Sequence, residues 1–157
     1  MDALAIIGGV SIPRSIGGIS TGGPVVLTGV AAGRESRRWY YFAGARAAFQ
    51  LPDEGLNPGD LVLLNLAWGV RPWLTEYYAP DLVVLVEANG RLAGHRSVNG
   101  QRVSASGGQV LSIAPAFMLS YRNVMLKGGV DIPVWEHFNE PGRSEEVTIL
   151  AALELHW

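Results

Sequence analysis

The residues able to do chemistry are few, and their spacing can be tested one reaction type at a time. Gly18-Ile19-Ser20-Thr21-Gly22 has the G-x-S-x-G spacing of a nucleophile elbow, which needs its serine on a strained turn between a strand and a helix. This stretch lies in glycine- and serine-rich chain ahead of Pro24, with no helical pattern after it, and reads as a loop. His95, His137 and His156 are the only histidines. Glu136-His137 with Glu140 could hold an ion if a loop closed round it. Yet Pro133, Asn139 and Pro141-Gly142 mark an ordinary connection, and neither H-E-x-x-H nor H-x-H occurs. Carboxylates that cleave a glycoside stand about 5–9.5 Å apart; Glu76, Asp81, Glu87 and Glu136 lie near aromatics, but spacing alone does not pair them. Phosphate-binding, dinucleotide, calcium-loop and zinc-finger patterns are missing. The expectation is a protein that is not an enzyme, with no catalytic residue, no cofactor and no metal.

The aromatic residues say more. In an extended Arg38-Trp39-Tyr40-Tyr41-Phe42, Trp39 and Tyr41 share one face while Tyr40 and Phe42 share the other, because side chains alternate along a strand. One pair must therefore meet something besides this sheet's own core: a second sheet, a covering loop or a partner. Trp73, Tyr77, Tyr78 and Trp135 fall in turn-rich chain, with Arg71, Arg122 and Arg143 near aromatics in sequence. Trp, Tyr and Arg are the residues that anchor interfaces, so these four aromatics form the candidate interface or ligand surface. A plain alternative is that they cap the ends of a sandwich.

The elements that must carry these residues read as short strands. Val25–Thr28 follows Pro24; Arg38–Phe42 follows the charged turn Arg34–Arg37; Leu61–Trp68 follows Asn57-Pro58-Gly59-Asp60, where Pro presets φ and Gly accepts a positive one. Asn89-Gly90 and Asn99-Gly100 both suit a type I′ turn, which predicts a meander of Leu82–Ala88, Arg91–Val98 and Gln101–Ser106. Val147, Ile149, Ala151, Leu153, Leu155 and Trp157 alternate in the last strand, and the first five are expected to face inward. Thr148–Leu155 could also be helical, since Leu, Ala and Glu favour helix, and Pro72–Tyr78 could form one helical turn. With eight or nine strands in all, the fold class is all-β: an antiparallel jelly-roll sandwich or barrel of about eight strands with little helix.

The chain has 157 residues, 48% apolar and 17% charged, with a net charge of −2 and no cysteine. This suits a single β domain over 1–157. Residues 1–23, rich in glycine and serine, are expected to be a flexible N-terminal arm. Disorder is excluded by the low charge, and a strong electrostatic grip on nucleic acid is not expected. The start of the chain lacks the basic region of a secretion signal. The uncharged runs Ser15–Gly33 and Val103–Tyr121 are broken by Gly and Pro, so neither makes a spanning helix. The expectation is a protein that is soluble, or peripheral to something larger.

Lys127 is the only lysine against eleven arginines. Taken with the length, the many short strands and the missing cysteine, the chain resembles the small single-jelly-roll capsid proteins of thermophilic, tailless, membrane-containing icosahedral phages. The resemblance is carried by Arg38–Phe42, Asn57–Asp60 and the alternating Val147–Trp157 stretch. It implies a structural subunit in a virion capsid that self-associates as a homo-oligomer and packs with a second capsid protein and an internal membrane. The alternative is a carbohydrate-binding or host-attachment module, at a cell surface or secreted, stacking a glycan on Trp73, Tyr77, Tyr78 and Trp135 with Asn139 fixing hydroxyls. A hydrolase ranks third.

Overall fold

The computed structural model describes residues 2–12, 23–76 and 79–155. Eleven strands follow one another along the chain: β1 (Asp2–Ser11), β2 (Val25–Glu35), β3 (Trp39–Gln50), β4 (Leu56–Asn57), β5 (Leu61–Val70), β6 (Asp81–Ala93), β7 (Ser97–Val98), β8 (Gln101–Arg102), β9 (Gly108–Tyr121), β10 (Val124–Phe138) and β11 (Thr148–Leu155). Eight form one antiparallel sheet in the order β1-β2-β3-β5-β6-β9-β10-β11, and β4-β7-β8 form a small sheet of their own. The fold is all-β and antiparallel, without helix among the described residues.

The strand order separates it from a jelly roll. Every strand of the large sheet pairs with its next neighbour in the chain, apart from the short β4, β7 and β8, whereas a Greek key returns a strand by a long connection to lie beside an earlier one. Tight turns explain the difference. Ser36 closes the β2–β3 hairpin, its Oγ accepting from the Trp39 amide at 2.9 Å, and Arg122, at φ 52°, turns β9 directly into β10. These short links can join only adjacent strands, and the longer connections, such as 94–107, also return the chain to the neighbouring strand of the large sheet.

Two local expectations change. Asn99-Gly100 is a turn with both residues at positive φ, 50° and 77°, but Asn89-Gly90 lies inside β6, opposite Asn65 and Leu64 of β5. Asn89 is held extended by side-chain partners on both sides: Asn65 donates to it at 2.7 Å and it donates to Asp131 at 3.4 Å. Pro72 to Glu76 is irregular chain rather than a helical turn. Of the expected arm, Asp2–Ser11 is a strand paired along its length with β2, and 13–22 lie outside the described residues.

The sheet is strongly curled. Ala3 of β1 and Met118 of β9 stand five strands apart in the sheet order, which on a flat sheet would be about 24 Å at ~4.8 Å per strand. Instead they line one trough of about 640 Å³. Leu85 of the trough belongs to a small core with Tyr40 and Val83, against which Ala116 and Met118 pack. Only Tyr40, Val83, Leu85, Val110 and Ala114 are buried apolar residues among those described. Among the described residues, no second sheet covers the outer face, whose large side chains are exposed.

Candidate functional site

Alternation along the paired strands sorts their residues onto two faces. The concave set is read from β9: Val110, Ser112 and Ala114 are buried, and Ala116, Met118 and Ser120 are partly so. Across the register it continues through Leu85, Glu87, Asn89 and Arg91 of β6 and Leu63, Asn65 and Ala67 of β5. The convex set is Leu111, Ile113, Pro115, Phe117, Leu119 and Tyr121 on β9, with Val84, Val86 and Leu92 on β6 and Val62, Leu64, Leu66 and Trp68 on β5. Large side chains of this set are exposed throughout; Leu66 is 59% accessible.

The last strand belongs to this arrangement. Ile149, Leu153 and Leu155 pair opposite Val130, Leu126 and Val124 on the convex side, and Ile149 is 78% exposed. The period of two is as expected, but the apolar residues face outward. On its other face β11 carries Thr148, Leu150, Ala152 and Glu154, and Lys127 meets Glu154 there at 2.5 Å.

The concave face is a ladder of polar partners. Asn65 donates to Asn89 at 2.7 Å, and Ser112 Oγ donates to Asp131 at 2.7 Å, with Ser112 only 4% exposed. Lower on the same face Arg91 pairs with Glu145, whose amide in turn donates to Glu136 at 2.9 Å. At the other end Arg71 bonds Asp81 at 2.7 Å and lies over the Tyr40 ring at 5.4 Å. Burial works to lower the Arg71 pKa, but the Asp81 hydrogen bond and the nearby Tyr40, Asp81 and Glu35 outweigh it and hold it above its ordinary value. Buried side-chain nitrogens and oxygens among the described residues all have partners, as buried polar groups require.

The convex face carries no charge between its ends. Asp2 and Arg34 pair at 3.5 Å at one end of the strands, and Gln109 and His137 oppose each other at the other end. Between them the face is Val, Leu, Ile, Ala, Phe, Trp and Tyr, with Gly, Pro115 and Thr28 the only other residue types. Most of its rings lie toward the strand ends, and Phe117 of β9 sits farther in. Trp39 and Trp68 stack at 5.7 Å and 9°, beside Tyr41, and Tyr121 lies at the same end. Phe49 and Trp135 lie toward the opposite end.

The candidate aromatic surface is thereby split. Trp73, 54% exposed, follows the end of β5; Trp135, 52% exposed, sits near the far end of β10. Tyr77 and Tyr78 lie outside the described residues. Asn139 spends its side-chain amide on the Ser106 carbonyl at 3.1 Å, and Arg122 and Arg143 lie over Tyr121 and Phe138 of this same chain. Trp73 and Trp135 do not share a concavity. Nor do the chemical candidates converge. Glu136 and His137 point to opposite faces of β10, and Asp81 and Glu87 are six residues apart on one strand, about 20 Å at ~3.3 Å per residue.

Sequence reasoning missed the two-faced sheet as a whole. Its signal was there in Leu61–Val70 and Val110–Tyr121, whose alternate residues are uniformly apolar while the others include Asn65, Ser112 and small residues. No protein-family model, curated protein or solved structure matches the chain.

Proposed function

We propose that the chain is a membrane-embedded β protein whose convex face meets lipid acyl chains and whose polar concave face is turned away from them. The single observation that carries this reading is the uncharged apolar belt running across all eight strands of the large sheet, with rings toward both ends. A globular domain turns its alternating apolar face to a core and its polar face to water. Here the covered face holds the polar partners beside a small apolar core, and the uncharged apolar face is the exposed one, which suits a molecule whose outer solvent is hydrocarbon.

Dimensions agree. Trp39 and Phe49 lie ten residues apart on β3, about 33 Å along a strand at ~3.3 Å per residue. At the ~35–45° tilt usual for spanning strands, that projects to an apolar band of about 25 Å. Trp and Tyr favour the headgroup level, where a ring meets an apolar and a wet phase together.

In this reading the role is structural, and the earlier expectation of a soluble or peripheral protein gives way to one of insertion. A self-assembling capsid subunit would cover the same face with copies of itself or a second protein. The charge-free belt and the end placement of the rings favour lipid. Phosphatidylcholine vesicles with brominated acyl chains separate the two, since bromine quenches a tryptophan only at contact. Strong quenching is expected from bromine near the headgroups and weaker quenching from bromine at the bilayer centre. Unquenched tryptophans, with the protein sedimenting in lipid-free assemblies, would overturn the proposal in favour of the capsid reading.

A further inference from the structure

Among the described residues, the two outer strands of the large sheet each present an unpaired edge: β1 pairs with β2 alone, and β11 with β10 alone. We propose that β1 docks on β11 of the same chain, closing the eight-stranded sheet into a barrel. The inference rests on the membrane reading for its driving force, because an open strand edge is not tolerated in hydrocarbon. Its geometry stands on separate observations.

The first is direction. All seven pairings in the large sheet are antiparallel, so the first and eighth strands also run oppositely and can extend the ladder without a crossover. The second is the curl. Ala3, Ala5 and Ile7 of β1 line the same trough as Leu85, Glu87 and Met118. Leu150 and Ala152 of β11 line a second trough, of about 280 Å³, with the same three residues. Both edges thus border the concavity over one central strip.

The third is side-chain size. An eight-stranded barrel has an interior just wide enough for its side chains to fill. The inner face of β1 and β2 is small where it carries Ala3, Ala5, Ala31 and Gly33, opposite the larger Leu85, Glu87 and Met118, while Ile7, Val25 and Leu27 are large residues farther along it. A small wall facing a large one fits closure within a single chain. The outer faces also match: Leu4, Ile6 and Val10 of β1 would continue the belt of Ile149, Leu153 and Leu155.

The chain has no cysteine, so engineered thiols report cleanly. Ile6→Cys is combined in turn with Ile149→Cys, Ala151→Cys and Leu153→Cys, and each variant is oxidised in vesicles. A disulfide needs Cα atoms within about 7 Å. The control is Ile6→Cys with Val30→Cys, which face each other across β1 and β2. Closure predicts that the control bridges and that at least one seam pair bridges within a monomer, with a mobility shift reversed by reductant. Seam bridges that form only between chains, a bridging control with no seam bridge, or a control that fails to bridge would each overturn it. Brominated-lipid quenching measured on the same samples keeps the two proposals apart: quenched tryptophans with interchain bridges leave the membrane reading standing and remove only the closure.

Discussion

Leu66 shows most plainly what the outer face requires. It is exposed, sits near the middle of β5 and has no charged neighbour on its face. In lipid, Leu66→Arg is expected to cost about 2–4 kcal/mol, the penalty for a basic residue near the bilayer midplane. Urea unfolding in vesicles measures it, and a change within about 0.5 kcal/mol would mark Leu66 as an ordinary water-facing residue. On the opposite face Asp131 accepts from the nearly buried Ser112. Asp131→Ala strands that hydroxyl, so a loss of about 1–3 kcal/mol is expected. Asp131→Asn keeps an acceptor in place and should lose clearly less. Equal losses in the two variants would mean that the side chain's volume, not its acceptor, stabilises the site.

At the scale of elements, the same amino acid has opposite consequences on the two faces. Leu85 belongs to the buried cluster on β6, and Leu85→Ala should cost about 2–5 kcal/mol through lost transfer energy and a cavity. Leu153 faces outward on β11 and leaves no protein cavity, because acyl chains close over the gap. Leu153→Ala is therefore expected to cost less than about 1 kcal/mol, well below the core range, in the same vesicle titration. If the two losses match, β11 has its faces reversed and the inward expectation for Leu153 stands. Strand positions were legible: Pro24, the Arg34–Arg37 turn and Asn57–Asp60 bound β2, β3 and β5. The period of two in β11 was legible as well. Which side is covered was not, since a period fixes two faces without saying which of them meets solvent. Asn89-Gly90 failed for a related reason. Its turn chemistry is local, whereas the Asn65 and Asp131 partners that keep it extended come from distant chain. The candidate aromatics were read one at a time as loop residues, and only the register puts Trp135 on the uncharged face.

For the whole molecule, the two ends of the sheet are unlike. One end carries the tight 36–38 and 122–123 turns and the 71–80 link, with Arg37, Arg38, Arg71 and Arg122. The other carries longer connections, 51–60, 94–107 and 139–147, and two of these pair through β4, β7 and β8 into the small sheet. Its charged residues include Asp53, Glu54, Asp60, Glu140, Glu145 and Glu146 beside Arg96, Arg102 and Arg143. A spanning sheet places these ends in separate compartments, and arginine supplies trypsin sites on both. Trypsin added outside sealed vesicles should cut any one molecule at the Arg37–Arg38 and Arg122 end or at the Arg96, Arg102 and Arg143 end. Mass spectra should then lack the peptide running from a cut at Arg38 to a cut at Arg96, which needs both ends accessible. Opening the vesicles with detergent should make that peptide appear. Its presence while the vesicles remain sealed would mean that both ends share one compartment, so that the sheet lies on the bilayer or apart from it. The apolar face would then have to be covered by protein, since a patch so far beyond a few hundred Å² does not stay bare in water.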